Sequence, residues 1–396
     1  MDLDALLGQL IELGGSDLHL KVTSPPMGRI DGELQPLGER LVSEGDLEAI
    51  LTLVTERIPA KREHFLVAGD LDTAYLAEDI GRFRVNAFRQ RGATSFAFRF
   101  IPREIPSFEQ LGLPAGVKTL AEQHRGLVLV TGATGSGKST SLAAMISWIN
   151  RTRKHHIVTL EDPIEFVHDD WGCIVNQREI GLDTESYREG LRRVLRQDPD
   201  VILIGELRDE ESAQSALQAS ESGHLVFSTL HTLDAAETVS RLIELFPAQK
   251  QMMIRQVLAS VLRGVISQRL LPKVGGGRVA AVEVLINTAR IADLIREPDK
   301  TDGITEALEE GAYHGMQSFA QHLVQLVLDD LVELDVAAAA ATNRHDFEIA
   351  VQQALKRRDA ERRQAELAEE QNTAADAEET EETEKLGGLR LSSPGQ

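Results

Sequence analysis

The spacing of apolar side chains changes character near residue 100, and two kinds of structure follow from it. In LDALLGQLIEL (3–13) leucine and isoleucine recur at helical intervals, and EGDLEAILTLVTERI (44–58) does the same. Around these helices the period drops to two. SDLHLKV (16–22) alternates like a strand, and DGELQPL (31–37) follows a turn. LDTAYLA (71–77), GRFRVNAFRQR (81–91) and GATSFAFRFI (92–101) read as a strand meander with one apolar face. Residues 1–100 are therefore expected to form an α+β domain. IPREIPSFEQLGLP (101–114), with its three prolines, is expected to be a linker.

After the linker the strands lose their alternation. GLVLVTG (126–132), HHIVTLED (155–162), PDVILIGE (199–206) and HLVFSTLH (224–231) are apolar on both sides, with helical segments between them. Continuous apolar strands alternating with helices predict a mostly parallel sheet covered on both faces. Residues 234–270 and 289 to about 355 read as mostly helical. The α/β domain is thus expected over 115–355. From 356 the sequence becomes polar and acidic, with a run of acids through 376–384. Lys356 to about Leu367 reads as a helix extension and the rest as disordered.

Composition narrows the function. A chain of 396 residues has room for two or three domains. Its formal charge of −21 and 4% aromatic content argue against nucleic acid as the main partner, since duplex binders present a basic face. The single cysteine, Cys173, cannot form an internal disulfide and fits a reducing compartment. The start, MDLDALLGQL, is acidic and is expected to be no signal peptide, and no apolar run approaches membrane-spanning length. A soluble, cytosolic protein is expected.

The chemistry is concentrated after residue 131. GATGSGKS (132–139) satisfies the G-x-x-x-x-G-K-[ST] phosphate loop, with a strand before it and a helix after it. Gly132, Gly135 and Gly137 let backbone N–H groups turn toward phosphate oxygens. Lys138 can reach the β- and γ-phosphates, and the Ser139 hydroxyl can ligate Mg²⁺. Thr134, Ser136 and Thr140 complete the set of candidate nucleotide contacts. TLEDPIEF (159–166) ends a strand with Glu161, Asp162 and Glu165, at the edge where ligands of such sheets bind. A solvated turn explains those acids equally well. In DPDVILIGELRD (198–209) a buried strand ends in Glu206, where the usual second nucleotide motif has Asp, so Glu206 is the candidate on the Mg²⁺ side. Arg208 and Asp209 read as a structural ion pair. GHLVFSTLHT (223–232) holds His224 and His231 seven apart. On a strand these point to opposite faces, which disfavours a shared metal.

GATGSGKST, TLEDPIEF, DPDVILIGELRDEES and GHLVFSTLHT, in this order, resemble the secretion ATPases of type II secretion and type IV pili, and most of all the group that powers twitching motility by pilus retraction. GGSDLHL, PPMGRIDGEL, RFRVNAF, ISQRLLP, GGGRVAAVEVLI and LIRE extend the resemblance from about residue 3 to 330. It implies a PAS-like α+β N-terminal domain followed by a RecA-like P-loop ATPase domain with a helical C-terminal part. It implies a homohexamer at the cytoplasmic face of the inner membrane, with ATP and Mg²⁺ bound between one subunit's ATPase domain and a neighbour's N-terminal domain. It also implies an inner-membrane platform protein and other pilus ATPases as partners. By residue, it implies Glu165 as the base that activates water and Glu206 as the Mg²⁺-side acid. His224 and His231 become nucleotide sensors. Arg84 and Arg99, in the arginine-rich meander, become cations delivered in trans to the γ-phosphate.

The tetracysteine zinc module usual in extension and secretion members is absent, which favours retraction over those alternatives. RIADLIRE (290–297) departs from the retraction pattern at Ala292 and Asp293. A nucleic-acid translocase would need a basic, aromatic-bearing channel, and a non-hydrolysing scaffold would need damaged catalytic positions. Neither fits this sequence.

Overall fold

The computed structural model describes residues 1–360 and 362–364. The expected disorder of the tail and the end of its helix extension lie outside these residues, while 356–360 and 362–364 are helical. The described residues form two compact units, Met1–Leu270 with Ala280–Ser318, and Leu271–Val279 with the residues from Phe319 on.

The first unit contains two sheets. The N-terminal sheet has strands β1 (Asp17–Lys21), β2 (Met27–Ile30), β3 (Glu33–Pro36), β4 (Asp70–Ala77), β5 (Gly81–Gln90) and β6 (Ala93–Ile101), in the order β3-β2-β1-β6-β5-β4. All its neighbouring strands pair antiparallel. Period-two alternation gives it one dry face. Leu18, Phe83, Val85, Phe96 and Phe98 pack there with Leu7, Leu47 and Ile50 from helices Leu3–Glu12 and Glu44–Val54. The second of these helices starts where Ser43 and Asp46 form a reciprocal cap. A further helix, Pro59–Ala68, begins with proline at its first position and ends on the left-handed Gly69. The other face of the sheet presents Arg82 and Arg84 on β5, and Arg99 directly across from Arg84 on β6.

The second sheet is built from β7 (Gly126–Thr131), β8 (His156–Glu161), β9 (Ile174–Glu179), β10 (Val201–Ile204), β11 (Leu225–Leu230), β12 (Leu262–Pro272) and β13 (Arg278–Ile286). Their order is β13-β12-β7-β11-β10-β8-β9, and β12 through β9 pair in parallel. Every residue of β7, β10 and β11 is buried. Helices Lys138–Thr152, Glu210–Glu221 and Ala248–Val261 contribute to the apolar clusters that cover the sheet. This is the mixed α/β architecture expected, an N-terminal domain followed by a RecA-like domain.

Three details depart from the sequence reading. The 234–270 region is not helical to its end, because Leu262–Pro272 is a strand. Its apolar, partly β-branched run extends the parallel sheet beyond β7, so burial overrides the helical reading. The proline-rich 101–114 stretch holds a short helix, Phe108–Leu111, capped reciprocally by Ser107 and Gln110 and anchored by buried Phe108. β9 was not foreseen. It is an edge strand whose burial alternates only partly.

The second unit is helical, with Phe319–Leu328, Leu334–Ala340 and residues 344–360. Val274 N–H donates to Leu331 O at 2.9 Å, tying its 271–279 segment to the end of the first of these helices. Among the described residues no helix is long and apolar enough to cross a membrane.

Candidate active site

Parallel strands bring their carboxyl ends to one edge, and most of the candidate residues gather there. β7 leads into the 132–139 loop, where Gly132, Gly135 and Gly137 all have positive φ. Gly132 is irreplaceable on steric grounds. A Cβ there would lie 2.4 Å from Gln268 O and 2.6 Å from Ser136 Oγ. Lys138 opens the following helix, and its Nζ donates to Gly132 O at 2.7 Å and Ala133 O at 3.0 Å. Burial lowers the Lys138 pKa, and the negative charges of Glu206 and Glu165 work against that shift. Ser136 Oγ is buried with no hydrogen-bond partner. Thr134 and Gly135 are exposed at the loop crest, while Ser139 and Thr140 begin the helix half-buried. A cradle closed to side chains, an orphan hydroxyl and a desolvated ammonium at a helix N-terminus fit a polyphosphate.

The acids stand opposite. Glu206 follows β10 and is 18% exposed. One of its oxygens accepts from Arg208 Nε at 2.7 Å, and the other lies 3.3 Å from His231 Nε2. Arg208 therefore pairs with Glu206 and not with Asp209, contrary to the sequence reading. Asp209 is the reciprocal cap, with Ser212, of helix Glu210–Glu221. Glu161 accepts from Thr159 Oγ1 at 2.6 Å and Gln177 Nε2 at 3.1 Å, and burial raises its pKa. Glu165 stays half-exposed, 3.6 Å from Arg84 NH1 of the same chain.

Arg84 thus stands beside Glu165, where the arginine face of the N-terminal sheet meets the 162–166 loop. Arg99 does not join it. It donates to Asp17 at 2.8 Å and is 72% exposed.

The two histidines are separated as well. His231 follows β11 and faces Glu206. His224 precedes β11, so six strand residues, about 20 Å, lie between them. The His224 ring Nδ1 is 2.9 Å from Ala219 O, in the last turn of helix Glu210–Glu221, and the same carbonyl accepts from His224 N–H at 3.2 Å. It lines a cavity of about 240 Å³ with His124, Arg153, His155 and Asp200 at the opposite, amino edge of the sheet. Within one chain His224 is not at the phosphate loop.

Two residues at the site carry no motif. The Tyr187 hydroxyl sits where a Cβ on Gly205 would come within 2.6 Å. Burial, and then the charge of Asp162, push its pKa well above the ordinary value. Glu179 ends β9 and is almost fully buried. Neither carries a signal in the sequence: Glu179 ends IVNQRE, which does not alternate, and Tyr187 lies in no motif.

A phosphate loop on a parallel sheet, faced by strand-end acids, defines a P-loop ATPase. The chain belongs to the type II/IV secretion system protein family, whose model matches residues 3–379. It is 44% identical to the type IV pilus retraction ATPase PilT of Pseudomonas aeruginosa, over 88% of this chain and all of that one. It is 43% identical to a twitching motility protein of Neisseria gonorrhoeae, over 80% and 84% of the two chains. Its fold matches the crystal structure of the pilus retraction motor PilT with bound ADP. The TM-score is 0.81 at 43% identity, covering 88% of this chain and 99% of that one.

Proposed function

We propose that this ATPase is the motor of type IV pilus retraction, working as a homohexamer at the cytoplasmic face of the inner membrane. The carrying observation is the convergence of Lys138, Glu206 and Glu165 on one sheet edge, in a chain matching a retraction ATPase over that relative's whole length. Residues 1–100 and 115–355 are taken as the two working domains, with 101–114 as the linker between them and 356–396 as an acidic tail.

The phosphates of ATP lie along the N–H groups of 132–139, with Lys138 leaving its carbonyl partners for the β- and γ-phosphates. Thr134, Ser136 and Thr140 supply hydroxyl contacts. Ser139 and Glu206 are the side chains that would hold Mg²⁺, which when bound neutralises charge on the β- and γ-phosphate oxygens. Glu165 orients water for in-line attack, and Arg84, 3.6 Å from Glu165, is the cation taken to stabilise the charge that develops. Arg99, on the exposed part of the same face, is left for a neighbouring subunit. His231 reads the state of the site through Glu206. Loss of the γ-phosphate changes the angle between the two domains, and an inner-membrane platform protein receives that motion and releases pilin subunits.

Glu165→Gln tests the reading. The variant should keep ATP binding and lose about 100-fold or more in turnover, the scale of a missing general base. Near-parental turnover refutes the assignment of the base. A strain carrying only this variant should be hyperpiliated and non-motile. Bald cells would show that the motor extends the pilus.

A further inference from the structure

The Glu165 loop is held at a second point that the chemistry above does not use. Glu179 is 1% exposed. Its Oε2 accepts from Ile164 N–H at 3.3 Å and from the guanidinium of Arg82 on β5. Its Oε1 and Arg82 Nε are both buried without a hydrogen-bond partner. A carboxylate this deep depends on its cation, because losing the partner leaves a desolvated charge.

Arg82 and Arg84 are two apart on β5 and so point to the same side. Two rungs result. Arg82 reaches Glu179 and Arg84 reaches Glu165, and Ile164, next to Glu165 in the chain, joins the acidic ends. The rungs differ in strength. The Arg84–Glu165 pair spans 3.6 Å with both side chains over two-fifths exposed, a geometry that holds little by itself. Arg82 is 18% exposed against a buried acid. The buried rung therefore decides where the exposed one lands.

We infer that Arg82 and Glu179 are positioning residues. They lock the arginine strand of the N-terminal sheet to the 162–166 loop, so that Arg84 and Glu165 arrive at the γ-phosphate together. This rests on Glu165 being the base. The latch touches neither the phosphate loop nor Lys138, so losing it should slow the chemical step and spare binding.

The test is steady-state ATP hydrolysis by the purified full chain carrying Arg82→Ala, Glu179→Gln or both, with rates normalised to sites that bind ADP. Glu179→Gln keeps an acceptor for Ile164 N–H, and Arg82→Ala lies outside the RecA-like core, so either variant alone keeps the test decisive. Each single change should lower kcat about tenfold or more with KM shifted less than about threefold, and the double variant should fall no further than the worse single, as coupled residues do. Parental kcat in both singles, losses that multiply in the double, or loss of ADP binding would overturn the inference. Glu165→Gln measured beside them separates the two ideas. If it is inactive while the latch variants are normal, only the latch fails. If it turns over normally, the base assignment fails and the latch with it.

Discussion

The two edges of the parallel sheet carry similar inventories and opposite arrangements. At the amino edge Arg153, His155, Asp200 and His224 surround a small cavity. Their polar atoms are engaged within the chain. Arg153 donates to Gln123 O and Glu122 O, and the His224 ring meets Ala219 O. At the carboxyl edge the groups are held short of satisfaction. Lys138 is desolvated within reach of two carboxylate fields, Ser136 Oγ has no partner, and Glu165 has one long contact. Residue type does not tell a site from a helix cap. Unspent capacity at the end where strands deliver into helix N-termini does.

The contrast should be widest for the two cations. Lys138→Ala is expected to abolish turnover by about 1,000-fold or more, since the ammonium is the phosphate loop's own charge. Arg153→Ala removes a cation of the other edge and should leave kcat within about threefold, with a loss of melting temperature from its two backbone contacts. Comparable losses of kcat at the two positions would erase the distinction between the edges.

The histidines come next, because one motif spans both edges. His231→Ala should lower kcat about tenfold, the size of one charge-assisted contact to Glu206 at 3.3 Å. His224→Ala should cost about 1 kcal/mol of stability through the lost helix-end hydrogen bond and change kcat less than twofold. An equal fall in kcat for His224→Ala, measured in the assembled oligomer, would mean that a neighbouring subunit carries it to a nucleotide.

These positions also show how far the sequence could be read. Four strands were legible because residues 126–131, 156–161, 201–204 and 225–230 are apolar on both sides, which only a doubly covered sheet accepts. The phosphate loop was legible because its glycines are forced by contacts such as Gly132 against Gln268 O. His224 was not, because adjacency in a motif says nothing about which end of a six-residue strand a side chain occupies. Arg84 on Glu165, Arg208 on Glu206, Tyr187 over Gly205 and Arg82 on Glu179 each depend on a contact between distant segments or on a local rotamer choice. No spacing rule encodes either one. β12 was lost to a helical reading because its strand character comes from β7 beside it.

The smallest effect at neutral pH belongs to a histidine on the Glu165 loop, and it appears only in acid. Burial lowers the His168 pKa from 6.5 to about 4, against a small opposing pull from Asp169. The folded chain keeps this ring neutral while the unfolded chain protonates it near its ordinary pKa. Between those values the unfolded state binds more protons, so stability rises with pH there and is lost as pH falls from about 6.5 toward 4. Two and a half pKa units correspond to roughly 3 kcal/mol. His168→Gln should leave turnover and melting temperature near parental values at pH 7.5 and flatten the acid limb of a melting-temperature profile. An acid limb identical in parent and His168→Gln would show that water reaches this ring and that burial does not lower its pKa.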